Sequence, residues 1–141
     1  MIFLDTNVLI YAVTDDPKAA TAQQVMHQSF SLSVQTLTEF ANVLRRKLRQ
    51  DWTVTNAALT AAKSACRKIW PIDAATHDTA MRFSERYGFA IYDALLVAVA
   101  FNAGGSMLLS EDMHDGLVVE DRLTIRNPFA NPSRSSGGLP T

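Results

Sequence analysis

Hydrophobic and polar positions along the chain fall into two alternating periods. Met1–Leu4 is an apolar run that stops at Asp5-Thr6-Asn7, which reads as a strand followed by a turn. A helix is expected from Val8, with Asn7 or Thr6 as its cap, because an oxygen there can accept from the free backbone N–H groups of the first turn. Pro17 suits the opening turn of a second helix over Lys18–Ser29. Phe30–Val34, interleaved with Ser31 and Ser33, reads as a strand. From Thr36, residues Leu37, Phe40, Ala41, Leu44 and Leu48 recur at helical spacing. Glu39 sits among them, so its carboxylate is expected to lean toward the body of the protein.

Further helices are expected over the alanine-rich Asn56–Ile69 and over Ala75–Tyr87, the latter stopped by Gly88. Ile69–Ile72 reads as a short strand, at a sheet edge because of Pro71. Asp93–Ala103 is apolar nearly all round and should be a buried helix, stopped by Gly104-Gly105. Met107–Leu109 and Asp121–Arg126 supply the last strands. Strands alternating with helices predict an α/β fold with a parallel sheet covered on both faces. In such sheets ligands bind at the carboxyl ends of the strands, which directs attention to the residues just after Leu4, Val34 and Leu109.

The chain has 141 residues, enough for one domain. Its longest apolar run, Ala94–Phe101, is too short to span a bilayer, and Ile2-Phe3-Leu4 follows the first residue with no basic leader. A cytoplasmic location is therefore expected, without a membrane. A single cysteine, Cys66, excludes a disulfide framework and a multi-thiolate metal site. The residues after Asn127 are rich in Pro, Gly and Ser, so a folded domain over 1–129 and a flexible tail over 130–141 are expected, with Phe129 tucked onto the domain.

A net charge of -1 conceals an uneven distribution. Residues 41–70 carry Arg45, Arg46, Lys47, Arg49, Lys63, Arg67 and Lys68 against Asp51 alone, between two acidic stretches. That block is either a pair of solvated helix faces or a footprint for a polyanion.

Asp5 and Asp112 follow predicted strands, Glu39 lies one turn into a helix, and Asp93 opens another. Each alone has a plain structural explanation as a cap, turn or ion-pair residue. Together, in apolar surroundings, converging carboxylates require a cation or raised pKa values. A set of oxygen donors without Cys or His suits Mg²⁺ or Mn²⁺, ions adapted to phosphoryl chemistry.

The segments Leu4-Asp5-Thr6-Asn7-Val8-Leu9, Leu37-Thr38-Glu39-Phe40, Tyr92-Asp93-Ala94-Leu95 and Leu109-Ser110-Glu111-Asp112, in this order, resemble the PIN domain. The resemblance is nearest to the VapC toxins of type II toxin–antitoxin systems, and it extends to Asn127-Pro128-Phe129. It implies a three-layer α/β/α sandwich, with a mostly parallel five-stranded sheet flanked by helices. The implied activity is metal-dependent endoribonuclease, the implied assembly a homodimer, and the implied partner an antitoxin that blocks the site. Carried over, the catalytic residues are Asp5, Glu39, Asp93 and Asp112. Asp5, Asp93 and Asp112 would hold Mg²⁺ or Mn²⁺, and Thr6, Asn7 and Ser110 would support them. Glu111 and Asp115 are neighbours that could assist.

Within that picture Arg45, Arg46 and Arg49, expected on the helix of Glu39 and about 9–15 Å beyond it, become candidate contacts to RNA phosphates. Cys66, Trp52 and Trp70 read as packing residues, and His114 as a surface loop residue. An aspartyl-nucleophile phosphatase needs an Asp two residues after the first acid, and Asn7 stands there. The remaining alternative is a non-catalytic RNA-binding or protein-interaction module.

Overall fold

Phe3 and Leu4 are consecutive in one strand, yet they pack into different cores. Side chains alternate across a strand, so a sheet with both faces apolar must be covered twice. The computed structural model describes residues 1–130. Its elements are β1 (Ile2–Leu4), α1 (Thr6–Ala12), α2 (Ala19–Met26), β2 (Leu32–Ser33), α3 (Val34–Arg46), α4 (Trp52–Ala65), β3 (Ile69–Trp70), α5 (Ala74–Tyr87), α6 (Ile91–Asn102), β4 (Met107–Leu109), β5 (Val118–Val119) and β6 (Leu123–Arg126). One core joins Phe3, Leu108 and Ile125 to Phe83 and Val97 of α5 and α6. The other joins Leu4 and Leu109 to Val8, Phe40 and Leu44 on the α1–α4 side. The result is the expected mostly parallel sheet, flanked by six helices.

The sheet differs from five continuous strands. Four strands run in the order β1-β4-β6-β5, and β2-β3 form a separate parallel pair. Phe3 and Ser31 make a single parallel bridge, and the Ser31 N–H donates to the Ile2 carbonyl at 2.8 Å, so the pair sits against β1. Strand β2 is short because Ser33 leaves it to cap α3, accepting from the Thr36 N–H at 3.2 Å. Strand β5 is a short antiparallel partner of β6 that polar Glu120 and Asp121 obscure in the sequence. Those two residues have φ of 46° and 59°, and the Arg122 N–H returns to the Val119 carbonyl at 3.0 Å. This is the mirror-image turn that suits a hairpin's twist.

Caps account for most displaced helix boundaries. Asp5 itself, rather than Thr6 or Asn7, caps α1. Asp51 accepts from the Val54 N–H at 2.9 Å and starts α4 at Trp52, ahead of the expected Asn56. Helix α6 starts at Ile91, so Asp93 lies inside its first turn. Helix α3 ends at Arg46, so Leu48 and Arg49 are not on it. The Gln50 N–H closes back on the Leu44 carbonyl at 2.9 Å, around Arg49 in the left-handed region at φ 52°. Gly88, at φ 77°, ends α5 as expected.

Phe129 packs edge-on against Tyr11, with ring centroids 5.0 Å apart. Apart from Ala130, the expected tail lies outside the described residues. No helix among them is long and apolar enough to cross a membrane.

Candidate active site

Strands β1 and β4 are parallel partners, Leu4 opposite Leu109, so the residues after them emerge side by side. The chain reaches β2 on one side of β1 and returns to β4 on the other, which places the crevice here. The Asp5 N–H donates to the Leu109 carbonyl at 2.9 Å. Its buried carboxylate accepts from the Thr6 N–H at 2.7 Å through Oδ1 and from the Ser110 hydroxyl at 2.7 Å through Oδ2. Ser110 Oγ in turn accepts from the Asp112 N–H at 3.2 Å. Asn7 closes the loop: its amide donates to Asp112 Oδ2 at 3.2 Å, and its carbonyl oxygen accepts from the Glu111 N–H at 3.3 Å.

The other two acids come from helices. Asp5, Glu39, Asp93 and Asp112 all line one cavity of about 360 Å³, together with Thr6, Asn7 and Tyr11. Glu39 is exposed to it rather than leaning into the protein body, because Leu37, Phe40 and Leu44 define the buried face of α3. Gln35, one turn before Glu39, donates from its amide to Glu39 Oε1 at 2.8 Å and to the Tyr92 carbonyl at 3.0 Å. It thereby ties the Glu39 helix to the first turn of the Asp93 helix.

This cavity is electrostatically costly. Burial pushes the Asp5 carboxyl up to about 6; repulsion from Asp93 and Glu39 adds to this, and the Ser110 and Thr6 hydrogen bonds oppose it. Burial likewise raises Asp93, with further repulsion from Glu39 and Asp112. Mutual repulsion among these four carboxylates is what a hard cation relieves.

Neighbouring candidates separate clearly. Glu111 points away from the acids and accepts from Tyr11 at 2.5 Å and from Lys18. Burial pushes its carboxyl up but is outweighed by Lys18 and Tyr11, which hold it low. Asp115 accepts from the Asn127 N–H at 2.9 Å. Arg45 donates to the Gln50 carbonyl at 2.9 Å and lies 4.3 Å above the Trp52 ring, whereas Arg46 and Arg49 are exposed. Trp52 is not a packing residue, being 59% exposed. Trp70 does pack, against Phe3, and Cys66 joins the α1–α4 core.

Two residues of this region carry no motif in the sequence. Gln35 stands four before Glu39, and Lys47, which lines the same cavity, stands eight after it. Their i, i+4, i+12 spacing with Glu39, a multiple of four along one helical face, was the available signal.

Residues 2–114 match the family model of the PIN domain. The chain belongs to the PIN domain family. Solved structures similar to this PIN domain include toxins and toxin–antitoxin complexes. VapC20 of Mycobacterium tuberculosis, a sarcin–ricin-loop-cleaving toxin, is 21% identical with a TM-score of 0.63, covering 77% of this chain and 87% of that one. A toxin–antitoxin complex from Klebsiella pneumoniae is 20% identical with a TM-score of 0.69, covering 92% and 98%. VapBC-1 from nontypeable Haemophilus influenzae is 17% identical with a TM-score of 0.67, covering 92% and 100%. At these identities the likeness is one of fold. Among curated proteins no similar sequence was found.

PIN nucleases generally use divalent metals, and the donor set of this PIN domain fits one. Its four acids offer hard oxygen donors, no His or Cys lines the cavity, and the buried Thr6 hydroxyl has no hydrogen-bond partner among the described residues. Among the described residues no three acids, histidines or cysteines stand as a preformed ligand group. The cavity therefore has the right chemistry in an open arrangement.

Proposed function

We propose that this PIN domain is an Mg²⁺- or Mn²⁺-dependent endoribonuclease that hydrolyses RNA phosphodiester bonds, acting as the toxin of a type II toxin–antitoxin pair. The observation that carries this reading is the convergence of Asp5, Glu39, Asp93 and Asp112 on one cavity at the carboxyl ends of β1 and β4.

Asp5, Asp93 and Asp112 would hold the cation. When bound, it would neutralise the phosphodiester's charge and stabilise the developing charge on the leaving oxygen. Ser110 favours the ionised form of Asp5 by donating to it, and Asn7 fixes Asp112 by donating its amide. Glu39, exposed to the cavity and steadied by Gln35, would accept a proton from the attacking water. Hydrolysis by water requires no nucleophilic side chain, consistent with Cys66 lying in the core on the α1–α4 side.

Two further surfaces support the partners. A groove of about 320 Å³ runs between α1, α2 and α4, lined by Leu9, Ala12, Val13, Met26 and Ala58, and suits the apolar face of an antitoxin helix. Val34, Ile72 and Tyr92 form an exposed apolar patch beside Glu39, suited to a second copy of the chain in a homodimer.

The test is RNA cleavage by the purified chain with and without Mg²⁺ or Mn²⁺. Metal-dependent cleavage that disappears in Asp5→Asn and in Asp93→Asn supports the reading. Cleavage that survives EDTA or both substitutions rejects the mechanism. RNA binding without any cleavage favours the non-catalytic alternative.

A further inference from the structure

Lys47 is the one basic residue lining the acidic cavity among the described residues. It is exposed, and none of the ion pairs among the described residues uses it. Glu39, Val43 and Lys47 follow one another at four-residue intervals, so α3, with Lys47 as its C-cap, sets a cation at the rim of the site about 12 Å from Glu39 along the helix axis. The chain then turns sharply. Leu48 also lines the cavity, Arg49 is exposed, and Trp52 opens α4.

Two features of this corner oppose what folding alone favours. Trp52 leaves 59% of its surface in water, although an indole is among the most favourable side chains to bury. Arg45 covers part of the ring at 4.3 Å, and its guanidinium is anchored on the Gln50 carbonyl at 2.9 Å, so the indole is braced and not packed. Arg49 holds a left-handed backbone, φ 52°, at the position after a helix where glycine is the unstrained choice. The corner thus presents an exposed aromatic ring braced by Arg45, a few residues along the chain from exposed Arg46, Lys47 and Arg49, of which Lys47 lines the acidic cavity. Alternation of cations with an exposed ring is the arrangement that holds single-stranded nucleic acid, the cations taking phosphates and the ring an unpaired base.

We propose that the α3–α4 corner is a positioning grip for single-stranded RNA, in which Lys47 takes a phosphate at the rim of the acidic cavity and Trp52, braced by Arg45, stacks an unpaired base on the same strand. Lys47 and Trp52 are five residues apart, at most about 18 Å of chain, so both can engage one short stretch of RNA. The proposal rests on the ribonuclease reading for its substrate class, but it concerns binding and makes a separate claim.

The test measures binding of a short unstructured RNA oligonucleotide to the full chain in EDTA, where cleavage is absent, across a salt titration. Trp52→Leu should weaken binding about tenfold with the salt slope unchanged, and Trp52→Phe should restore most of it. Lys47→Gln should weaken binding and reduce the salt slope by about 0.7, the contribution of one charge on a single strand, with Lys47→Arg restoring both. In a Trp70→Phe chain, where Trp52 is the remaining tryptophan, RNA should quench tryptophan emission and heparin, a polyanion without bases, should not. Wild-type affinity in Trp52→Leu, or equal quenching by heparin, overturns the grip. If the Trp52 effect holds and the wild-type chain fails to cleave RNA in Mg²⁺, the nuclease reading fails and the grip stands. If the wild-type chain cleaves RNA while Trp52→Leu binds it normally, the grip fails and the nuclease reading stands.

Discussion

The Ser110 hydroxyl donates to Asp5 Oδ2 at 2.7 Å across 105 residues of sequence. The Ser110 Oγ in turn accepts from the Asp112 N–H at 3.2 Å, so one side chain orients two of the acids. Ser110→Ala should strand both partners and cost about 1–3 kcal/mol of stability. It should also let the Asp5 pKa rise further, because the hydrogen bond to Ser110 is the largest influence holding it down. Cleavage should fall about 10–100-fold, with the acid limb of its pH profile displaced upward, and Ser110→Thr should recover most of both. A pH–rate profile of the three proteins checks this; an unmoved acid limb in Ser110→Ala would count against Ser110 as a residue that favours the ionised form of Asp5.

Asp5 also sets a pH dependence of folding. Its carboxyl is raised from 3.8 to about 6 in the native state, so the metal-free native chain holds a proton that the unfolded chain has lost. Its contribution to stability is present below about pH 4 and is lost as pH rises through 6. The loss amounts to about 3 kcal/mol at most. Asp5→Asn should therefore be more stable than the wild type by about 1–3 kcal/mol at pH 7 in EDTA, while lacking activity. The difference should vanish near pH 4 and shrink when Mg²⁺ is added to the wild type. Urea unfolding at several pH values measures it, and equal stability at pH 7 would contradict the strained-carboxylate account.

Sequence and structure agree where strong local signals operate. The apolar runs ending at Leu4 and Leu109 placed Asp5 and Ser110 at the crevice, since strand ends in a parallel sheet converge. Caps were harder to see: Ser33 and Asp51 each accept one backbone N–H and thereby move a helix start by two to four residues. The early start of α4 exposed Trp52, and the early end of α3 left Arg49 outside that helix. The division into four and two strands was illegible because it turns on one residue, Ser31, pairing with Phe3 as a lone bridge. Lys47 was one of seven bases in its stretch, and only the face it shares with Glu39 distinguishes it.

Glu111 and Asp112 are adjacent acids with opposite environments. Glu111 is engaged by Tyr11 at 2.5 Å and by Lys18, while Asp112 lines the cavity and accepts from Asn7 at 3.2 Å. Calorimetric titration with Mn²⁺ should show Asp112→Asn weakening binding about tenfold or more. Glu111→Gln should change it by less than about threefold, because that carboxylate is already compensated. Equal losses in the two variants would reassign Glu111 to the metal site.

Gly105 marks a close approach between α6 and β1. A Cβ there would stand 2.8 Å from the Ala100 carbonyl oxygen and 3.1 Å from the Phe3 ring. The Ala100 oxygen is backbone, fixed by the Gly105 N–H at 2.8 Å, so it cannot yield. Gly105→Ala should destabilise the chain by about 1–3 kcal/mol. Gly104→Ala meets no atom within 4 Å, but its φ of 84° makes the cost one of backbone strain. Thermal unfolding of Gly105→Ala at the wild-type midpoint would show that the helix can shift away.

Arg49 separates folding from binding at a single position. Its backbone sits at φ 52°, and the closure of Gln50 onto Leu44 requires that conformation. Glycine adopts it freely, so Arg49→Gly should relieve about 1 kcal/mol of strain, raising Tm by about 3–5 °C. The same change removes one exposed cation two residues after Lys47, which lines the acidic cavity. RNA affinity should fall severalfold at low salt, and the salt slope should lose about 0.7. Arg49→Lys should keep the binding and the strain together. Opposite movements of Tm and affinity in Arg49→Gly would identify the arginine as retained for its charge, whereas a fall in Tm would show that its side chain contributes to folding.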